Sequence, residues 1–490
     1  MSSAPGSKPG RAAASSAPAS TGAPASTPTP SADLAFTFAV AVVAFLPRLF
    51  VALSWSREPV WDGHYYHFGA TRIAEGLGYS EDALIGGVRV WRPWSHYPVG
   101  YSGLLGGVYK VFGSGLLVAP VVNVVIGTLL VVVVHRLALR TLTLNRARIA
   151  AGITALHPGL IVYSAALMNE ELAALLVLSG AWIVVRRSRW SGVVLAGVAF
   201  GLATLVRPSS LLAAPFVAFA FPLRRADTLI RASVVVLVAV LTVLPWTYRN
   251  CRVMDGCALV STNGGWNLAI GALTPTGRFQ TLRARDGCPV VTGQVQQDRC
   301  WAQIAVATIA KDPLRWLSFM PKKLAQTYDH ESFPIEYLHE ADVASWPESR
   351  RVAGRALLTA FHQILLVAAM LGVVALPSPR RLGVPGTVSQ AVLLALVLAI
   401  ATYAAISDDH PFWILPTVLP LVPLFRIPGA PVLEGVERFL LGWIFATSLT
   451  HAVFFGDDRY HLVVTPALAI LAAAALRRLS ARMPQAQAPA

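Results

Sequence analysis

Residues 116–140 read LLVAPVVNVVIGTLLVVVVHRLALR: nineteen residues without a charge, up to Val134, then His135, Arg136 and Arg140. A helix needs about 20 apolar residues to cross the hydrocarbon core of a bilayer. Arginines at one end of such a run mark the end that stays in the cytoplasm. Working outward, similar stretches recur near 34–53, 147–163, 170–185, 190–206, 209–223, 229–246, 356–376, 388–406, 411–425, 438–455 and 462–476. The reading is an all-α polytopic membrane protein with about 12 transmembrane helices.

With the N-terminus inside, the cytoplasmic segments hold nineteen of the 40 Lys and Arg but only four acids, Asp33, Asp227, Glu434 and Glu437. The entire formal charge of +15 therefore lies on that side. Orientation follows the Lys/Arg bias of short loops, so both termini are expected in the cytoplasm of a plasma (inner) membrane. Arg207 and Arg459 are the sole bases in short outer loops. Two arginines where topology disfavours them point to anion binding.

With 55% hydrophobic residues and mean hydropathy +0.58, the spans are helices rather than barrel strands. In a soluble protein the basic balance would suggest nucleic acid. Here it supplies loop anchors for anionic lipid headgroups, so the bilayer is a partner and nucleic acid is not. Residues 1–33 are Ala, Ser, Pro, Thr and Gly with almost no large apolar side chain, and read as a disordered cytoplasmic tail. The first apolar run reads as a retained helix rather than a cleaved signal. Residues 34–246 form an N-terminal membrane module with a long first outer loop at 54–115. Residues 247–355 form a small extracytoplasmic domain, 356–478 the C-terminal helices and 479–490 a second cytoplasmic tail.

All four cysteines, Cys251, Cys257, Cys288 and Cys300, fall in the 247–355 segment. Confined to an oxidising compartment they read as two disulfides. Spacing favours Cys251–Cys257 and Cys288–Cys300 over the other pairings, and over metal binding, for which no Cys-x-x-Cys is present. A helical run from Cys300 to about Thr327 carries Ile304, Ile309, Leu314, Trp316 and Phe319, with Lys322 and Lys323 at its end. It reads as a helix lying on the outer membrane surface or packed on its own domain.

The outer loops collect polar groups. Asp62 lies in Trp61-Asp62-Gly63-His64-Tyr65-Tyr66, and Glu170 and Glu171 follow Asn169. Arg207 precedes Pro208, Arg249 ends the seventh stretch, and Asp457-Asp458-Arg459-Tyr460 precedes the last. Guanidinium groups can hold a phosphate by two-pronged contacts, and a carboxylate can deprotonate a hydroxyl. Each residue also has a plainer role available. Asp62 can cap the short helix beginning near His64, and Glu170 can cap its own helix or favour the N-terminus through the dipole. Arg207 and Arg249 can be interface anchors, and Arg459 can pair with Asp457 or Asp458. The histidines of the first loop, His64, His67 and His96, show no metal-site spacing.

Taken in order, several motifs resemble the membrane glycosyltransferases of the GT-C class, relatives of protein O-mannosyltransferases and lipid A aminoarabinose transferase. They are Asp62 with Tyr65 or Tyr66, Tyr97-Pro98-Val99-Gly100-Tyr101, and the acid after the third stretch. Gly201-Leu202-Ala203-Thr204-Leu205-Val206-Arg207-Pro208, the Pro245-Trp246 to Arg249-Asn250 end, Ser261-Thr262-Asn263-Gly264-Gly265 and Arg459-Tyr460 follow. The resemblance covers roughly 35–478. It implies transfer of a sugar from a polyprenyl-phosphate donor to a hydroxyl acceptor (a glycolipid, polysaccharide or protein) at the extracytoplasmic face. It further implies Asp62 and Glu170 as catalytic acids, and Arg459, Tyr460, Arg207 and Arg249 around the donor phosphate. Tyr65, Tyr66, His96, Tyr97 and Glu171 would line the substrate. Protein O-mannosyltransferases carry an Asp-Glu pair at the first position; Gly63 follows Asp62 here.

No metal site is expected and no cofactor is obligatory, because arginine can neutralise a phosphate leaving group, although a divalent cation is compatible with the chemistry. The rival reading is a lipid or solute transporter binding an anionic headgroup at the outer face. Against it, no internal repeat and no pair of broken helices is visible, and Arg48 is the clear charge within a span.

Overall fold

The structure, a computed structural model, describes residues 30–187, 189–221, 225–289, 293–375, 384–425, 427, 433 and 435–480. The two expected tails lie almost wholly outside the described residues. So do Arg224, Arg380, Arg381, Arg426 and Glu434, which enter the charge argument.

The chain is a multi-pass helical membrane protein. The first half runs through α1 (Pro30–Trp55), α2 (Asp62–Ala74), β1 (Ser80–Ile85), β2 (Val88–Pro93), α3 (Val99–Phe112), α4 (Val118–Ala138), α5 (Leu144–Leu156), α6 (Pro158–Val162), α7 (Glu170–Arg186), α8 (Trp190–Val206) and α9 (Arg225–Val253). There follow α10 (Gly264–Leu273), α11 (Gln294–Lys311), α12 (Pro313–Ser318), α13 (Met320–Tyr328) and α14 (Phe333–Ala341). The chain closes with α15 (Glu348–Met370), α16 (Val384–Ile406), α17 (Ile414–Thr417), α18 (Gly435–Val453) and α19 (Thr465–Ser480).

A helical element underlies each apolar stretch. Among the described residues, however, only Asp33–Trp55, Val118–Ala138, Ala226–Val253, Glu348–Val374 and Val384–Ile406 are both long and apolar enough to cross a bilayer unaided. Proline accounts for much of the difference, since it removes an N–H from the helical ladder. The stretch at 147–163 breaks at His157, whose extended backbone is what a residue before Pro158 prefers. The 209–223 stretch becomes a 3-10 segment, Pro208–Ala220, with Pro215 inside it. The 411–425 stretch splits into α17 and a 3-10 run, Leu419–Phe425.

Helices α7, α8 and α9 pack in sequence, α4 sits between α1 and α7, and α19 lies against α15 and α5. One apolar core, including Leu130, Val177, Phe200, Phe439 and Leu468, runs through these layers. The start of α1 meets the end of α4, where Arg136 Nη1 donates to Asp33 Oδ2 at 2.5 Å. Asp62, Glu170, Arg207 and Arg459 meet at the opposite end.

The first long loop folds as α2, a hairpin and α3. The strands pair antiparallel from Ser80↔Pro93 to Ile85↔Val88, closed by Gly86 and Gly87 with φ of 58° and 83°. That left-handed pair is what a two-residue hairpin turn demands.

In the 247–355 segment the disulfides Cys251–Cys257 and Cys288–Cys300 join Cα atoms 4.1 and 6.0 Å apart. The single helix expected from Cys300 to Thr327 is interrupted. Pro313 follows Asp312, which caps α12 by accepting from the Arg315 N–H at 3.0 Å, and α13 restarts at Met320-Pro321. Lys323 is not a surface anchor. It is fully buried and donates to the carbonyls of Ala452 and Val453 at 3.3 and 3.1 Å, at the C-terminus of α18. A cation there satisfies carbonyls that the helix leaves without partners.

Candidate active site

Asp62 is the first residue of α2, so its carboxylate does not cap that helix; Trp61 holds the cap position and makes no side-chain cap bond. Trp61 has φ of 50°, a left-handed backbone that a bulky residue adopts only where its surroundings impose it. Its ring is wedged against Phe333 and Tyr337, with centroids 5.6 and 6.0 Å apart. The turn so fixed aims Asp62 inward.

Two groups far apart in sequence receive the carboxylate. The Tyr97 hydroxyl donates to Asp62 Oδ1 at 2.7 Å, and Arg459 Nη1 donates to Oδ2 at 2.6 Å. Burial works to raise the Asp62 carboxyl, but the Arg459 charge and the hydrogen bonds from Tyr97 and Arg459 outweigh it. The group is held below the usual carboxylate range.

Arg459 has further contacts. Its Nε lies 3.8 Å from Asp457 Oδ1, and Nη2 is 3.4 Å from the Tyr460 hydroxyl. Asp458 turns away and accepts from the backbone N–H groups of Ser332 and Phe333 and from the Ser332 hydroxyl.

The second acid–base pair adjoins the first. Glu170 begins α7, Arg207 ends α8, and Arg207 Nη1 donates to Glu170 Oε1 at 2.9 Å. The two pairs share one ring: the Arg207 and Arg459 guanidinium carbons lie 4.8 and 5.0 Å from the centroid of Tyr460. His451 stacks on the same ring at 4.1 Å. Asn169, which carries Arg207 Nη1 at 3.5 Å on its Oδ1, donates its amide to the Tyr66 hydroxyl at 2.8 Å. Glu170 Oε2 is buried without a hydrogen-bond partner.

An aromatic wall flanks Asp62. Tyr65 is stacked on Tyr97 at 5.2 Å and tilted on Trp94 at 5.9 Å; Tyr66 meets Tyr97 edge-on at 5.5 Å. His96 packs edge-on between Tyr97 and Trp266 at 5.1 and 6.3 Å. Tyr65 is itself half exposed at the edge of this wall.

Thus Asp62, Glu170, Arg207, Arg459 and Tyr460 are linked side chain to side chain, with Tyr65, Tyr66, His96 and Tyr97 beside them. Two expected members stand apart. Arg249 is spent on the carbonyls of Tyr79 and Trp94, at 2.6 and 3.1 Å, pinning the hairpin loop to the end of α9. Glu171 is directed into the bundle, where it and Arg48 flank Gly127. The sequence reading missed Asn169 and His451. Asn169 sits immediately before the two acids, and a polar residue at that edge was the available signal; His451 gave none.

Residues 96–248 match the family described as dolichyl-phosphate-mannose-protein mannosyltransferase. That segment contains Tyr97, Glu170 and Arg207 and leaves Asp62 and Arg459 outside. The resemblance to GT-C glycosyltransferases is therefore found by the family comparison as well as by the motifs. No curated protein matches the chain.

Among solved structures, the archaeal oligosaccharyltransferase AglB from Archaeoglobus fulgidus, in complex with an inhibitory peptide and a dolichol-phosphate, is similar at 16% identity and a TM-score of 0.45, over 91% of this chain and 50% of its own. The chain thus spans about half the length of that relative. ArnT from Cupriavidus metallidurans bound to undecaprenyl phosphate is similar at 15% identity and a TM-score of 0.34, over 92% of this chain and 79% of its own.

Proposed function

We propose that this protein transfers one sugar from a polyprenyl-phosphate donor to a hydroxyl acceptor at the extracytoplasmic membrane face. The observation that carries the reading is the chain of contacts Asp62–Arg459–Tyr460–Arg207–Glu170, which joins two carboxylates to two guanidinium groups at one end of a membrane bundle. The family match over residues 96–248 supports the same class.

In this reaction the acceptor oxygen bonds to the anomeric carbon while the bond from that carbon to the carrier phosphate breaks. The electron pair leaves on the phosphate, and charge builds there in the transition state. Arg459 and Arg207 are the groups to receive it, each with N–H donors beyond those given to Asp62 and Glu170. Asp62, held ionised, takes the acceptor's proton. Attack from the face opposite the leaving phosphate inverts the anomeric centre in a single displacement. Tyr97 and Arg459 fix the carboxylate's direction, and Tyr65 with His96 forms the wall against which a sugar or acceptor packs.

Arg459 serves both groups at once: Nη1 holds Asp62, while Nε, which has no hydrogen-bond partner, is available to the phosphate. Purified protein incubated with a panel of polyprenyl-phosphate sugars and hydroxyl acceptors tests the reading. Release of free polyprenyl phosphate with a new glycoside is expected. Donor binding without turnover across the panel would favour a headgroup carrier instead.

A further inference from the structure

Next to the 3-10 turn Tyr460–Val463, which contains His461, a second cluster is fully buried: His157, Glu331, His362 and His461. None of them enters the proposed reaction. Backbone carbonyls fix the proton positions on two of the rings. His461 Nδ1 lies 2.7 Å from the Thr327 carbonyl and His362 Nε2 lies 2.8 Å from that of Tyr328. A carbonyl only accepts, so each of these nitrogens carries the hydrogen.

In neutral imidazoles the other two nitrogens then present lone pairs, and both face Glu331 Oε2: His461 Nε2 at 3.1 Å and His362 Nδ1 at 3.9 Å. His362 Nδ1 and Glu331 Oε1 have no hydrogen-bond partner. Three converging acceptors in a dry interior repel one another unless a metal ion, or a proton on His461 Nε2, sits among them.

We propose that Glu331, His362 and His461 bind one divalent transition-metal ion of the zinc type. Their donor atoms lie within 4.8 Å of one another. Bonds of about 2.0–2.2 Å need only a modest contraction from there. Two imidazoles with one carboxylate suit zinc better than magnesium or calcium, which prefer all-oxygen shells.

The surroundings match the outer shell of a metal site, in which each ligating histidine donates its far N–H to a carbonyl. His157 flanks the carboxylate without bonding to it. Its Nδ1 accepts from the Leu160 N–H at 3.3 Å, so its Nε2 carries the hydrogen; that nitrogen stands 3.9 Å from Glu331 Oε2 and has no hydrogen-bond partner. Gly159 makes the close approach possible: a Cβ there would fall on Glu331 Oε1.

The ion's role is structural. It ties His461, adjacent to Tyr460 and two positions from Arg459, to Glu331 and to α15. Glu331 adjoins Ser332, which holds Asp458. The segment bearing Arg459 and Tyr460 is thereby clamped to the 328–333 turn.

Metal content of the full-length protein, loaded with zinc sulfate and dialysed free of excess, tests this by elemental mass spectrometry. About one zinc per chain is expected in the wild type and in Asp62→Asn, and none in Glu331→Gln or His362→Gln. X-ray absorption of zinc-loaded wild-type protein should show two imidazoles and an oxygen donor; this measurement decides alone if the variants do not fold. A wild type without bound zinc, a zinc ion lost in Asp62→Asn but kept in Glu331→Gln, or an absorption spectrum without imidazole overturns the proposal, leaving a buried His461–Glu331 ion pair.

Discussion

Arg459 donates to Asp62 across 397 residues of chain, Nη1 to Oδ2 at 2.6 Å, joining the start of the first long loop to the turn before the last helix. Both side chains are mostly buried, so the pair is screened less than a surface pair. Its position, between a tyrosine hydroxyl on one side and a second arginine–glutamate pair on the other, makes Asp62 the group on which transfer should depend most.

Asp62→Asn keeps the shape and an acceptor oxygen for Arg459 but removes the base. Sugar transfer is expected to fall by about 10²–10⁴-fold with donor affinity little changed. Turnover near wild type in a folded Asp62→Asn protein would remove Asp62 from the mechanism.

Arg459→Ala should weaken binding of a polyprenyl-phosphate analogue about tenfold or more, since charge-assisted hydrogen bonds to phosphate contribute about 1.5–3 kcal/mol. Arg459→Lys should recover part, because an ammonium lacks the planar fork. The same truncation strands Asp62, so a loss of thermal stability accompanies it. Titration of donor analogue against folded protein separates the two effects, and equal affinities would assign the phosphate to Arg207.

The pH dependence has a definite sign. Arg459 and Tyr97 hold the Asp62 carboxyl below the usual carboxylate range, so the acid limb of the rate profile should lie below that range. Tyr97→Phe removes a donor that favours the charged form and should move the limb upward. For stability, a depressed carboxylate contributes fully above its unfolded value of about 3.9 and loses the contribution as pH falls through the folded value. An unshifted acid limb in Tyr97→Phe would show that another group sets it.

The apolar runs and the cysteine spacing were legible because both are local signals. Asp62, Glu170, Arg207, Arg459 and Tyr460 were legible as polar residues at the ends of apolar runs, and the structure joins them. What local pattern could not convey was direction. Glu170 and Glu171 are neighbours, yet helical geometry turns one toward Arg207 and the other toward Arg48. Lys323 reads as an anchor at the end of an amphipathic run, but Pro313 and Pro321 re-aim it into α18. The histidine cluster gathers positions 157, 362 and 461 with Glu331, a spacing with no local signature.

Loss of either disulfide should destabilise the 247–355 segment. Chain-entropy reasoning for loops this short suggests roughly 2–3 kcal/mol each. Cys288→Ser/Cys300→Ser is expected to increase proteolysis within that segment. Non-reducing peptide mapping that recovers Cys251 linked to Cys288 or Cys300 would contradict the observed pairing.

Arg48 provides the sharpest test of what Glu171 does. Its guanidinium is fully buried and donates to the carbonyls of Ala44, Thr154 and Ala155 at 3.0, 3.2 and 2.8 Å, with Glu171 as the neighbouring acid across Gly127. A buried charge with its partner removed typically costs about 3–5 kcal/mol, whereas replacing both members by apolar groups is often near neutral. Arg48→Met alone should therefore destabilise strongly, and Arg48→Met/Glu171→Leu should recover part of the loss. The carbonyls of Thr154 and Ala155 lie in the last turn of α5, where Pro158 offers no N–H, so Arg48 is their donor and the double replacement cannot restore everything. If Glu171 instead contacts substrate, Glu171→Leu will impair transfer while leaving stability intact, and the double variant will be as unstable as Arg48→Met. Thermal unfolding in detergent, read beside the transfer rate for the three variants, distinguishes a bundle-locking pair from a substrate-facing acid.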